Sequence, residues 1–333
     1  MNTPTILITG GCSYSQVPNL DVTWPLPLQE SLGVRYVAHT GHGAAGNQLI
    51  SRKVISKVIE AIELGHKPED MLVGVMWSGC DRYTHYSENL DKNHSKTRLM
   101  GYGESYEEML FEHTYNPSPP AIIDLENLED EINQNISKQN PAFIRNYKNP
   151  SHYVLNCHWD DDMTNYYFEY FVNPQKAIIE TCEHILRTEW FLKEKGINYF
   201  FGEYDHDVFH YVGPWGYGGD PSEHPGHPFT PGAKWNGEIY SSDSECIQWP
   251  HHYTKEIDSQ HLNNPEINYL YTAIDKKYFL PINSLGEWAK EKSTHHFARE
   301  GDPHPSTEQH KEFVNKVILP FLLEKYNISL YNV

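Results

Sequence analysis

The chain has 333 residues, which fits about two domains of roughly 150 residues or one enlarged α/β domain with long insertions. Its 26 Lys and Arg against 45 Asp and Glu give a formal net charge of −19 at pH 7. That charge argues against a nucleic-acid groove or binding to an anionic membrane surface. Aromatic residues make up 13% of the chain, which excludes a disordered acidic protein, and the 20 histidines are an unusual surplus.

The cysteines and the N-terminal segment indicate a soluble protein made in a reducing compartment. No CxxC pair occurs, so neither a disulfide framework nor a thiolate zinc site is indicated. No apolar run approaches the roughly 18 residues of a membrane span, and no basic segment precedes a signal-like apolar run. We therefore expect a cytoplasmic location and no membrane partner. The five cysteines are Cys12, Cys80, Cys157, Cys182 and Cys246.

Short apolar runs alternate with helical periodicity over much of the chain. Residues 5–9, 34–38, 71–77 and 197–201 have the composition of buried strands. Helical spacing begins near Asn47 and again at Pro174, and Ser306 with Gln309 predicts a capping box before a last amphipathic helix. This rhythm predicts βαβ units, and hence an α/β fold with a parallel sheet covered by helices.

Two long insertions interrupt the predicted α/β domain, which we take as a single domain over residues 1–333. The first covers residues 83–164, is rich in Asn and Tyr, and contains a predicted helix at residues 122–136. The second covers residues 203–262 and is rich in Gly, Pro, His and aromatic residues. Its segment 213–232 has so much Gly and Pro that we predict a long loop.

Ser13 follows the first predicted strand and is a candidate nucleophile. A dinucleotide site is a poor alternative, because Ser13 and Gln16 occupy positions where close approach of a pyrophosphate needs glycine. Ligands of open α/β sheets bind outside the carboxyl ends of the strands, where Ser13 is expected to lie. The backbone N–H of a residue placed there can also face a developing oxyanion.

A second candidate segment precedes the last predicted helix. It reads Gly-Asp-Pro-His-Pro-Ser over residues 301–306 and contains Asp302 and His304. An imidazole that accepts a serine proton needs a carboxylate to orient it and to stabilise the imidazolium. Asp302 and His304 are therefore the candidate orienting acid and general base for Ser13.

These segments together resemble the SGNH (GDSL-like) hydrolase family. The resemblance rests on GCSYS after the first strand, a glycine before the second helix, and D-x-H-P-S before the last helix. It covers roughly residues 1–82, 174–203 and 280–333, and it is closest to divergent members associated with tailed bacteriophages. It implies a three-layer α/β/α fold of SGNH or flavodoxin-like type, and a serine esterase without a cofactor.

The resemblance also implies roles for individual residues. Ser13 matches the family nucleophile, and the N–H groups of Ser13 and Gly43 match two oxyanion donors, with Asn47 as a supporting polar group. Cys80 stands where the family has asparagine, so Ser78 or Arg82 would supply that contact, because a thiol is a weak donor.

The last family block matches Asp302 and His304 with a shorter spacing. The family pattern is D-x-x-H, whereas one residue separates the two here. This departure and Cys80 keep open the alternative of a catalytically degenerate virion or interaction protein.

The insertions hold the remaining candidate residues. Arg82 and the aromatic residues Trp215, Tyr217 and Trp235 are candidates for substrate binding, the aromatic rings as a stacking platform for sugars. No metal site is predicted, although a third hypothesis, a metal-dependent hydrolase, would use the loosely spaced Asp205, His206, Asp207 and His210.

The leading hypothesis is a serine esterase that acts on an acylated small molecule or a glycan, with no nucleic-acid partner. The alternative protein would use its aromatic insertions for binding and would associate with a virion if the chain is phage-encoded. A homo-oligomer is compatible with either hypothesis.

Overall fold

The structure is a computed structural model that describes part of the chain. The described residues are 4–17, 22–34, 36–43, 45–86, 152–156, 167, 170–205, 208–209, 234–235, 238–239, 261–297 and 304–328. Contacts divide the chain into one unit of Met1–Thr84 with Leu155–Val333 and a second unit of His85–Val154. The predicted helix at 122–136 and the predicted loop at 213–232 lie outside the described residues, and the predicted domain boundaries stay predictions.

A parallel four-stranded sheet lies at the centre of the first unit. Its strands are β1 (Ile6–Gly10), β2 (Tyr36–His39), β3 (Met71–Trp77) and β6 (Asn198–Glu203), in the order β2-β1-β3-β6. Every neighbouring pair is parallel. The general α/β prediction is therefore confirmed. Two short two-stranded sheets pair β4 (Arg82–Tyr86) with β5 (His152–Asn156), and β7 (Lys234–Trp235) with β8 (Glu238–Ile239).

The helices connect the strands and complete the core. They are α1 (Pro25–Leu32), α2 (Asn47–Glu63), α3 (Pro174–Lys195), α4 (Pro265–Ala273), α5 (Leu285–Glu291), α6 (Thr307–Phe313) and α7 (Leu319–Tyr326), with a π-helical turn at Val314–Ile318 between the last two. The predicted starts of α2 and α3 are correct. The predicted capping box is confirmed, because Ser306 accepts from the Gln309 N–H and the Gln309 side chain accepts from the Ser306 N–H.

Strand boundaries differ from the sequence predictions by one or two residues. The second strand begins at Tyr36, whereas residue 34 was expected, and the last sheet strand continues to Glu203, whereas residue 201 was expected. The second insertion was predicted to begin at residue 203, so its first residue belongs to the sheet. Backbone pairing between Trp77 and Glu203 extends the strand to this point.

Burial differs between the two edge strands of the sheet. All residues of the central strands β1 and β3 are buried, and so is the edge strand β6 except for Asn198, whereas the edge strand β2 is partly exposed. Within the described residues, no helix has the length and apolar character needed to cross a membrane.

Candidate active site

The candidate site lies at the carboxyl edge of the parallel sheet. Because parallel strands end at the same edge, the segments that follow β1, β2, β3 and β6 are brought together there. These segments carry Ser13, Gly43, Ser78 and Tyr204.

The turn after β1 presents Ser13. Residues Ser13–Ser15 form a 3-10 turn in which the Ser15 N–H donates to the Cys12 carbonyl at 2.9 Å. The Ser15 hydroxyl accepts a 2.8 Å hydrogen bond from the indole N–H of Trp24, which anchors the turn to the core. Gly11 has φ +154°, and a Cβ there would come 2.9 Å from the Met76 carbonyl oxygen. Only glycine fits this strand exit without strain.

The loop after β2 lies directly against this turn. The His42 N–H donates to the Gly11 carbonyl at 3.1 Å, and Gly41 forms a parallel bridge with Gln16. A Cβ at Gly41 would approach the Ser15 carbonyl oxygen to 2.1 Å, so the two segments touch through their backbones. Gly43, the predicted oxyanion donor, follows in this loop.

His304 meets Ser13 across 291 residues of chain. The Ser13 Oγ and His304 Nε2 atoms are 2.7 Å apart, and both residues are partly exposed. With Nδ1 protonated, Nε2 accepts the hydroxyl proton, which is the arrangement of a nucleophile and its general base.

The helix that follows holds His304 in place. His304 lies two residues before the capping Ser306, and the Val22 N–H donates to the Thr307 hydroxyl at 3.0 Å. The Gln309 amide donates to the Ala289 carbonyl at 2.8 Å, which ties α6 to α5. Asp302, the predicted orienting acid, lies outside the described residues.

Asn47 has a different role from the one predicted. Its side-chain N–H groups donate to the Ser78 carbonyl at 2.9 Å and to the Thr181 hydroxyl at 3.2 Å, and its Oδ1 accepts from the Ser78 N–H at 2.9 Å. Both amide protons are thus used inside the core, where Asn47 is 2% exposed. Asn47 therefore supports the backbone of Ser78 and does not donate to an oxyanion.

Arg82 lies among polar and aromatic partners. Its guanidinium donates to the Ser78 hydroxyl at 3.2 Å and to the Tyr204 hydroxyl at 2.6 Å. Tyr204 contacts Tyr14 edge to face, with ring centroids 5.1 Å apart, and Tyr14 in turn contacts the His304 imidazole. The sequence singled out Arg82, but nothing in it pointed to Tyr14 or Tyr204.

The two cysteines of the candidate site are buried. Cys12 is fully buried beside Ser13, and Cys80 is 3% exposed after β3. Burial suits packing roles better than attack on a substrate, because a reactive thiolate needs an accessible site.

Most candidates in the second insertion lie outside the described residues, namely His206, Asp207, His210, Trp215 and Tyr217. Asp205 is described, and its carboxyl group packs on Gly286 at the start of α5. Trp235 lies in β7. Among the described residues, no group of three or more His, Cys, Asp or Glu side chains is arranged to hold a metal ion.

Two further histidines near the site remain neutral. His39 lies between the Thr9 hydroxyl and the Gln29 side-chain oxygen, at 2.8 and 3.2 Å, and burial lowers its pKa to about 4. Burial, with a smaller contribution from His304, lowers the pKa of His310 to about 3. Neither ring adds a charge to the site at neutral pH.

Comparison of the chain with protein-family models, with curated proteins and with solved structures gives no match in any of the three. A functional assignment therefore depends on the residues and geometry of the site.

Proposed function

We propose that this chain is a serine esterase, an acylhydrolase of SGNH type with a three-layer α/β/α arrangement. Its substrates are acyl or acetyl esters, including those of glycans. The observation that carries the proposal is the 2.7 Å contact between Ser13 Oγ and His304 Nε2 at the carboxyl edge of a parallel sheet.

The proposed reaction proceeds through an acyl-enzyme. Ser13 Oγ attacks the ester carbonyl while His304 Nε2 takes its proton, and the N–H groups of Ser13 and Gly43 face the oxyanion. The C–O bond to the alcohol then breaks, and His304 returns the proton to the leaving alkoxide. Water attacks the acyl-enzyme with His304 again as base, which releases the acid and restores Ser13. Asp302 is the proposed orienting carboxylate of His304.

The support around the pair suits this chemistry. The Ser13 turn is anchored by Trp24 and backed by Gly41, so the nucleophile sits on a constrained segment. Asn47 and Arg82 hold Ser78 at the end of β3, beside the position where the family resemblance expects an oxyanion contact. Ser78 is fully buried, so we propose that it stabilises the segment that carries the oxyanion donors and does not itself contact the substrate.

Turnover of p-nitrophenyl acetate by matched variants tests the proposal. Ser13→Ala and His304→Gln should each lower kcat by about a thousand-fold or more, and their double variant should be no slower than the worse single variant, because the pair acts as a unit. Ser31→Ala is the serine control, since its hydroxyl donates only locally to the Pro27 carbonyl at 2.8 Å. It should keep the full rate.

Covalent labelling gives a second readout of the same nucleophile. A fluorophosphonate should lose fluoride and form one Oγ–P bond at Ser13, detected as a mass increase on the peptide that contains it. Ser13→Ala turnover equal to wild type, or labelling elsewhere, would overturn the proposal. A folded protein without any Ser13-dependent turnover or labelling would instead favour the binding protein.

A further inference from the structure

We infer that Tyr14 is a positioning residue for His304, which holds the imidazole against Ser13 and stabilises it once it carries the proton. The inference rests on the proposed esterase function and deepens it. It concerns His304, the proposed general base, whose proposed acid partner Asp302 lies outside the described residues.

Direct contact between the two rings is the first observation. Their centroids are 4.9 Å apart and their planes are inclined at 42°, so the imidazole lies against the phenol ring of its neighbour. Tyr14 is only 3% exposed, whereas His304 is partly exposed. The buried ring therefore limits the orientations of the more accessible one.

Tyr14 also packs against a second aromatic ring, that of Tyr204. The rings of Tyr204 and Tyr14 are perpendicular, with centroids 5.1 Å apart. Arg82 then fixes Tyr204, because its guanidinium donates to the Tyr204 hydroxyl at 2.6 Å and its Cζ lies 4.5 Å from the ring centroid. The order of contacts is Arg82, Tyr204, Tyr14, His304 and Ser13, from the start of β4 to the nucleophile.

The same contact favours the protonated imidazole. The face of an aromatic ring carries negative electrostatic potential and attracts a cation within about 6 Å of the centroid, more strongly where water is excluded. His304 becomes a cation when it takes the Ser13 proton, so the ring stabilises this form relative to the neutral one. A merely structural tyrosine would not change the protonation equilibrium of the base.

The titratable side chains in or beside this series of contacts include Arg82, Tyr204, Tyr14 and His310. Arg82 is one ring removed, behind Tyr204, and the phenols of Tyr14 and Tyr204 are buried. From α6, His310 faces the base, but burial lowers its pKa to about 3, so it adds no positive charge at neutral pH.

Variants at position 14 test the inference through kcat, KM and the pH profile. Tyr14→Phe keeps the ring and should stay within about three-fold of wild type. Tyr14→Leu removes the ring and should lower kcat about ten-fold with KM within two-fold. The acid limb of kcat/KM should move to lower pH, because the imidazolium loses its contact with the aromatic ring.

A matched control exists at the amino end of β2, opposite the carboxyl edge of the sheet. Tyr36 contacts His66 with centroids 5.3 Å apart and planes at 51°, and Tyr36 is 42% exposed. Tyr36→Leu removes a comparable ring contact at the amino end of the strands, away from the carboxyl edge that carries Ser13, and should leave both kcat and the acid limb unchanged.

A fluorinated side chain keeps the test usable if Tyr14→Leu does not fold. Pentafluorophenylalanine at position 14 preserves the ring shape but has an electron-poor face. It should shift the acid limb in the same direction as leucine, with Tyr14→Phe as its matched partner. Identical pH profiles for the fluorinated and the phenylalanine variants would overturn the inference, as would unchanged kcat in folded Tyr14→Leu.

An NMR titration separates this inference from the proposed esterase. The ring signals of His304, assigned by their loss in His304→Gln, should titrate at lower pH in Tyr14→Leu or in the fluorinated variant than in Tyr14→Phe. If this shift occurs without any Ser13-dependent turnover, the esterase proposal is refuted but the effect of Tyr14 on the His304 imidazole is supported. Turnover without the shift would refute the role of Tyr14 alone.

Discussion

Replacing Asn47 with alanine is expected to cost both stability and activity. The amide of Asn47 joins α2 to the Ser78 backbone at the end of β3 and to Thr181 on α3. Asn47→Ala leaves the Ser78 N–H and carbonyl without these hydrogen bonds, and Ser78 is fully buried. Each unsatisfied buried group costs about 1–3 kcal/mol, so the free energy of unfolding should fall by about 4 kcal/mol.

Thr181 allows the contribution of one bond to be separated. Thr181→Val leaves a single Asn47 N–H without its acceptor and should cost about 1–2 kcal/mol. The two substitutions share that bond, so the double variant should be less destabilised than the sum by about 1 kcal/mol. Thr272→Val is the matched control, because its hydroxyl donates to the Asn268 side chain on the exposed side of α4, at 3.1 Å. It should change stability by less than about 0.5 kcal/mol.

Urea denaturation followed by tryptophan fluorescence measures these differences at pH 7. The transition midpoint should fall while the slope stays constant, since the substitution changes stability and not the surface exposed on unfolding. The folded Asn47→Ala protein should also hydrolyse p-nitrophenyl acetate more slowly, because Ser78 and Arg82 lose their support. A loss below about 1 kcal/mol, or additive effects with Thr181→Val, would refute the structural role assigned to this amide.

Three further outcomes are expected. Because the folded pKa of His310 is about 3, below that of an unfolded histidine near 6.5, stability should be lost as pH falls through this window, at about 1.4 kcal/mol per pH unit. His310→Gln should therefore lose about 1.6 kcal/mol less than wild type between pH 6.5 and 5 in urea titrations, and equal losses would contradict the burial of a neutral ring. Gly41→Ala places a Cβ 2.1 Å from the Ser15 carbonyl oxygen and should lower stability by about 2 kcal/mol or more in thermal melts. Gly286→Ala is the comparison, because a Cβ there would lie 3.1 Å from the Asp205 side chain, and it should cost less than about 1 kcal/mol. If Gly286→Ala proved more destabilising than Gly41→Ala, the close backbone contact between Gly41 and Ser15 would be refuted. Incubation with a chelator should leave p-nitrophenyl acetate turnover unchanged, because the proposed serine mechanism uses no metal, and loss of activity restored by a divalent ion would favour the metal-dependent hydrolase.

Local sequence signals located the four strands of the parallel sheet and the helices α2, α3 and α6. The apolar run of β3 and the starts of α2 and α3 agree with prediction, because periodicity and capping act over a few residues. Helices α1, α4 and α5 were missed. In α1, Pro25 and Pro27 suggest a break although proline is tolerated in a first turn.

The roles of polar side chains near the site were harder to predict. Asn47 was expected to support an oxyanion, but its amide bonds Ser78 and Thr181 instead. The partners of an amide depend on which helix and strand end lie beside it, and no local spacing encodes that choice. Tyr204 was overlooked for the same reason, because its contact with Arg82 spans 122 residues.

The sequence by itself determined the α/β character and the acidic charge, and it singled out Ser13 and His304 as the candidate nucleophile and general base. These follow from composition and from short patterns, which depend on near neighbours in the chain. Only the tertiary structure decided that the two residues stand 2.7 Å apart, with Tyr14 against the imidazole. That arrangement arises because β1 lies inside a parallel sheet and because His304, two residues before the N-cap of α6, reaches the turn that follows β1.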